Sequence, residues 1–179
     1  MRVKNIRNTS TRKRIIEAFT NLLKEKDFEK VTIKNITDKA SVNRATFYAH
    51  FEDKYQLFDE MIKNSAIDIL KRYTKETYSW NEKQIECLFQ AIYEYLLIVK
   101  IECPYSYQNL FPQLRTKMLD ALNKHLTLCL GLKGYNQVNE FKVLLYSRIL
   151  YDAAELLVIE KTHLSQMKIL KEINTIIFE

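Results

Sequence analysis

Apolar residues recur at three- and four-residue intervals along nearly the whole chain, the spacing of amphipathic helices. Over residues 11–26, Ile15, Ile16, Ala18, Phe19, Leu22 and Leu23 share one face, and Thr9, Ser10 and Thr11 offer capping oxygens ahead of it. A second helix follows a short link at Asp27 and Phe28. Thr32 is placed to cap it, and Ile33, Ile36 and Ala40 are its apolar positions. Ser41 and Val42 break the pattern, and Asn43 then caps a third, short helix carrying Arg44, Ala45, Thr46, Phe47, Tyr48 and His50. Two short helices joined by a tight turn fit a helix-turn-helix. Asp53 opens a long periodic segment to about residue 77, and another runs over residues 81–101. Pro104 and Pro112 bracket a piece expected to be irregular. A helix over residues 113–130 is expected to stop at Gly131 and Gly134, and amphipathic segments at 137–161 and 165–178 complete the chain.

Composition narrows the fold class to all-α. Only 2 glycines and 2 prolines occur in 179 residues, too few for the turns of a strand-rich fold. The 47% hydrophobic and 28% charged content is that of a globular protein with a sizeable core. The net charge of +6 is unevenly placed: Arg2, Lys4, Arg7, Arg12, Lys13 and Arg14 stand among the first fourteen residues with no acid between them. Such an arm suits a polyanion, because neutralised phosphates release counterions. Cys87, Cys103 and Cys129 have neither CxxC nor His-paired spacing, so no disulfide framework, zinc site or other metal is expected, and the compartment is read as reducing and cytoplasmic. Cys103 beside Pro104 is open to two readings, a redox-sensing thiol or a small buried hydrophobe. No segment has the length and apolarity of a membrane span. His50, His125 and His163 are scattered and no Gly-rich phosphate loop occurs, so neither an enzyme nor a cofactor site is expected.

The informative stretch is residues 31–57, VTIKNITDKASVNRATFYAHFEDKYQL. A helix in the major groove points small or polar side chains at base edges from its first turns, as Arg44, Ala45 and Thr46 would, with the capping Asn43 a further DNA-contact candidate. Arg44 can donate to both O6 and N7 of a guanine, and the methyl groups of Ala45 and Thr46 can touch a thymine methyl. Phe47 and Phe51, four apart, can pack inward on Phe19, Ile36 and Ala40. Tyr48, His50, Lys54 and Thr32 are donors suited to phosphate, and Lys54 falls in the first turn of a helix, where amides favour anions. For Tyr48 the competing role is core packing, and for His50 it is packing or capping.

This ordered run, with Thr46, Tyr48, His50 and Phe51 followed by Asp53-Lys54 and an apolar residue, resembles the DNA-binding domain of the TetR family of regulators. The departure is Ser41, where the family usually has Gly; a positive φ there would cost Ser on the order of 1 kcal/mol. The resemblance implies a helix-turn-helix domain over residues 1–55 and a helical effector-binding and dimerisation domain over 56–179. It also implies a homodimer built on the last two helices, binding a pseudo-palindromic site on double-stranded DNA. Repression released by an unknown small-molecule effector is the implied mode of action. Its effector pocket would draw on the aromatic residues Tyr73, Trp80, Tyr93, Tyr95, Tyr105 and Tyr107, although helical bundles also use such residues as core. The rival reading is a TetR-like adaptor acting through a protein partner without sequence-specific DNA binding.

Overall fold

A computed structural model of the chain describes residues 2–75, 77–131 and 137–178, with side chains from Ser10 onward in those stretches. Among the described residues there are eight α-helices, one short 3-10 turn at Phe28–Lys30 and no strand. The helices are α1 (Arg2–Glu25), α2 (Ile33–Ala40), α3 (Arg44–Tyr48), α4 (Lys54–Thr74), α5 (Glu82–Glu102), α6 (Tyr107–Cys129), α7 (Gln137–Val158) and α8 (Gln166–Phe178). They divide into two compact units. The first takes in Met1–Ile62 and Val99–Phe111, the second Lys63–Ile98 and Pro112–Glu179.

The first unit is organised around aromatic rings. Phe19 of α1 meets Phe28 and Phe58 edge-on, with centroids 6.2 and 6.4 Å away, and Phe28 and Phe58 lie 5.2 Å apart. Ile15, Leu23, Ile36, Phe47, Phe51 and Leu57 close the core around them. Ser106 is fastened to this unit from far along the chain. Its Oγ accepts from the Phe28 amide at 2.6 Å and donates to Asp27 Oδ2 at 3.2 Å, and nearby Lys24 pairs with Glu102 at 2.7 Å.

In the second unit, polar ties join successive helices. Glu94 of α5 accepts from Arg72 at 3.3 Å and from the Tyr73 hydroxyl on α4. Arg115 of α6 pairs with Asp152 and Glu155 of α7, and its guanidinium lies 5.0 Å above the Tyr151 ring. The indole of Trp80 stacks on Tyr146 of α7 at 5.3 Å and touches Phe178 of α8.

Two helix starts differ from expectation. α1 begins at Arg2, so Thr9, Ser10 and Thr11 lie inside it and cap nothing. Residues 2–14 contain no Gly or Pro and are rich in Arg and Lys, which are good helix formers. The side chains of Arg2, Lys4 and Arg7 lie outside the described residues. α6 starts at Tyr107 rather than near residue 113 and carries Pro112 within it. The proline removes one early N–H from the ladder. Against that stand Leu110, Leu114, Met118, Leu122 and Leu126, one every fourth residue and all buried. Each buried Leu contributes about 1.5–3 kcal/mol, so the face outweighs the missing bond. Gly131 does sit past the end of α6 with φ +60, whereas Gly134 lies outside the described residues.

The turn between α2 and α3 holds Ser41 at φ 53, ψ 48, the left-handed conformation that the family's usual Gly at this place implies. Its amide closes α2 by donating to the Asp38 carbonyl. Ser41→Gly should remove the Cβ penalty and stabilise the chain by about 1 kcal/mol, read as a higher denaturant midpoint with unchanged slope. An unchanged or lower midpoint would mean that the serine side chain compensates the strain.

Candidate nucleic-acid interface

The helix pair begins with a reciprocal cap. Thr32 Oγ1 accepts from the Asn35 amide at 3.1 Å, while Asn35 Oδ1 accepts from the Thr32 amide at 3.2 Å, together satisfying two amides at the start of α2. Ile36, Thr37 and Ala40 turn that helix inward. Beyond Ser41, the Val42 amide donates to the Thr37 carbonyl at 3.0 Å, so the link is bonded back onto α2. Asn43 then starts α3: its Oδ1 accepts from the Thr46 amide at 2.7 Å.

Only five residues long, α3 is sharply two-sided. Phe47 is 0% exposed and packs with Phe51 at 5.8 Å between ring centroids. Arg44, Ala45 and Tyr48 are exposed on the other side, and Thr46 is half-buried. Tyr48, 51% exposed, sets its ring perpendicular to that of Phe47 at 5.5 Å. A short helix therefore presents a forked cation, a methyl group and a phenol to solvent. Asn43 and Thr32, both exposed, stand at the N-termini of α3 and α2.

A family model described as bacterial regulatory proteins of the tetR family matches residues 15–61, the stretch that contains this helix pair. Residues 15–61 are thus of the TetR DNA-binding type. It is 40% identical over 65 residues to the helix-turn-helix-type transcriptional regulator YxbF of Bacillus subtilis strain 168, a match covering 36% of this chain and 17% of YxbF. It is 22% identical over 87 residues to the negative transcriptional regulator IcaR of the biofilm operon icaADBC in Staphylococcus aureus strain Newman, covering 49% of this chain and 46% of IcaR. The chain thus spans less than half the length of these curated relatives. Among solved structures, SCO7518 of Streptomyces coelicolor A3(2) shares the fold at a TM-score of 0.60 and 14% identity, over 94% of this chain and 99% of that one.

Not every candidate stands on this TetR-type surface. Lys54 is turned inward, its side chain 13% exposed. Its ammonium donates to the carbonyls of Phe28 and Glu29 at 2.9 and 3.0 Å and lies 4.7 Å from the centre of the Phe28 ring. Charge-assisted bonds of this kind contribute on the order of 1.5–3 kcal/mol, so the ammonium serves the unit's own structure. The start of α4 is also already supplied with an anion, because Asp53 Oδ1 accepts from the Gln56 amide at 2.7 Å. His50 is half-buried, its ring centroid 6.3 Å from that of Phe51. Neighbouring Tyr55 donates to Glu29 at 3.0 Å, a bond that holds its phenol above the ordinary pKa.

Arg12, which the sequence places in a basic arm, pairs with Glu60 and lies over the Phe51 ring at 5.0 Å. Sequence reading passed over Lys34, exposed in the first turn of α2 two residues beyond the capping Thr32, and that place beside a cap was its only signal.

The aromatic residues proposed for an effector pocket are placed differently from one another. Tyr105, 63% exposed, and Tyr107, edge-on to Phe111, belong to the first unit. In the second unit Tyr95 is buried core, Tyr73 is bonded to Glu94, Tyr93 is half-buried and Trp80 stacks on Tyr146. None of the six lines either of two cavities in that unit, one between α5 and α8 and one between α4 and α6. Only Tyr95 is fully buried, while Tyr73, Trp80, Tyr93 and Tyr107 are half-buried. Cys103 is buried, and desolvation pushes its thiol up to about 11, which leaves little of the reactive thiolate at neutral pH. Among the described residues no cluster of three or more His, Cys, Asp or Glu could hold a metal, and no helix is long and apolar enough to cross a membrane.

Proposed function

We propose that the chain is a transcription regulator that binds duplex DNA through α3 and represses by occupying its site until an effector releases it. The observation that carries this reading is the two-sidedness of α3. Phe47 anchors one face while Arg44, Ala45 and Tyr48 stand free on the other, the layout a groove-reading helix needs. IcaR is a negative transcriptional regulator of an operon, which supports repression as the mode. Release follows if the effector favours a conformation whose recognition helices no longer match their half-sites. In this reading Arg44 reads a base, Ala45 and Thr46 offer methyl contacts, and Tyr48, Thr32, Asn43 and His50 grip the backbone. Lys54 acts by holding the unit together.

Dimerisation is part of the same proposal, because one helix-turn-helix reads only one half-site. α7 is apolar on two sides. Val143, Leu150, Tyr151, Ala154 and Val158 are buried, yet Val138, Phe141, Leu144, Leu145 and Leu156 are exposed, Phe141 by 64%. Met167 and Ile176 of α8 are exposed as well. A helix that is hydrophobic all round is buried in its working state, and a second copy of this chain would supply the cover.

Arg44→Ala should cost about 1–3 kcal/mol on the preferred duplex and relax choice at one base pair, leaving binding to scrambled duplex little changed. A salt series on both duplexes checks this, with the unmodified protein weakening steeply as salt rises. Equal losses on both duplexes would make Arg44 a backbone contact, and a flat salt dependence would remove the DNA reading. Leu145→Asp should convert a dimer into monomers by light scattering at micromolar concentration. An unmodified chain that is itself monomeric would overturn the dimer.

A further inference from the structure

The cavity between α4 and α6 has a chemistry of its own. It measures about 180 Å3, and Ile67, Leu70, Ala121 and Leu128 supply apolar lining, with Tyr78 and His125 adding aromatic rings. Those two rings lie 4.9 Å apart, centre to centre. Lys71 and Lys124 also contribute to the lining, and among the described residues no carboxylate does.

His125 is oriented by a chain of bonds that also fixes its tautomer. Gln84 Nε2 donates to the Thr77 carbonyl at 2.8 Å, and a carbonyl can only accept, so the amide faces it with its nitrogen. The same Gln84 nitrogen lies 2.8 Å from His125 Nε2. An amide nitrogen can only donate, so Nε2 accepts and the neutral ring carries its proton on Nδ1. Burial lowers the imidazole pKa, which keeps the ring neutral. Nδ1–H has no hydrogen-bond partner among the described residues, and the ring lines the cavity. A donor in the lining of a largely apolar cavity favours an acceptor there, and Lys124, in the same lining, favours a negative one.

We propose that this cavity binds a one-ring aromatic carboxylate, with the ring among the apolar walls and the carboxylate accepting from His125 and facing Lys124. The volume suits a single aromatic ring with little to spare, since an apolar cavity of roughly 150 Å3 holds a benzene ring. The proposal rests on the reading of the second unit as the effector-binding part of a regulator, and names the effector's class.

Calorimetric titration of the full chain, without DNA, tests it with benzoate and its neutral isostere benzamide. Benzoate should bind at one site per chain, at least about tenfold tighter than benzamide. Lys124→Glu, an exposed change, should remove that preference, and Ala121→Phe should block both by filling the space. No saturable binding of benzoate at millimolar concentration, equal binding of benzamide, or benzoate binding unchanged in Ala121→Phe would each overturn the proposal. The titration stands apart from DNA binding: a chain that binds DNA but not benzoate loses only this assignment, and one that binds benzoate but not DNA loses only the regulator reading.

Discussion

A helix of five residues has no stability of its own, because nucleation alone exceeds what one turn of hydrogen bonds returns. α3 exists because Phe47 is driven into the first unit's core. Burial of such a ring contributes about 1.5–3 kcal/mol, and the Asn43 cap adds on the order of 1 kcal/mol. Ser41, forced to positive φ, turns the chain sharply enough for both to act at once. The face that Arg44 and Tyr48 present is therefore a consequence of what Phe47 and Asn43 do on the other side and at the start of the helix.

Charge in the first unit divides by the same logic. Arg12 and Lys54 sit against aromatic rings, the first paired with Glu60 and the second bonded to the backbone of the 3-10 turn. Both cations are engaged within the unit, and Lys54 is largely withdrawn from solvent. Arg44 and Lys34 of the helix pair remain exposed, as do Lys13, Arg14 and Lys30, so a polyanion would meet these cations and not Lys54. Ser106 extends the scaffold along the chain by binding the Phe28 amide from the link between α5 and α6.

Much of this was legible in the residues themselves. Thr32 and Asn43 cap the helices that their side chains predicted, because capping is local and needs only a short polar side chain at the right offset. The inward Phe47 and Phe51 followed from periodicity. What escaped was non-local. Nothing near Lys54 signals the two carbonyls that receive its ammonium, since they lie about two dozen residues away in the chain. The Gln84–His125 pair joins separate helices, and neither residue has a telling neighbour. Pro112 misled for the opposite reason: a strong local signal was outweighed by five buried apolar residues spaced along the helix that contains it. The aromatic residues were conspicuous as a group, but burial, not abundance, decides whether a ring can meet a ligand.

The central claim is that α3, held by Phe47, reads base sequence in duplex DNA. Selection of bound molecules from a random duplex pool measures this directly. The account predicts enrichment of an inverted repeat whose half-sites are centred about one helical turn, roughly 10 base pairs, or a multiple of it apart. A bound pool with no motif enriched over the starting pool would contradict it.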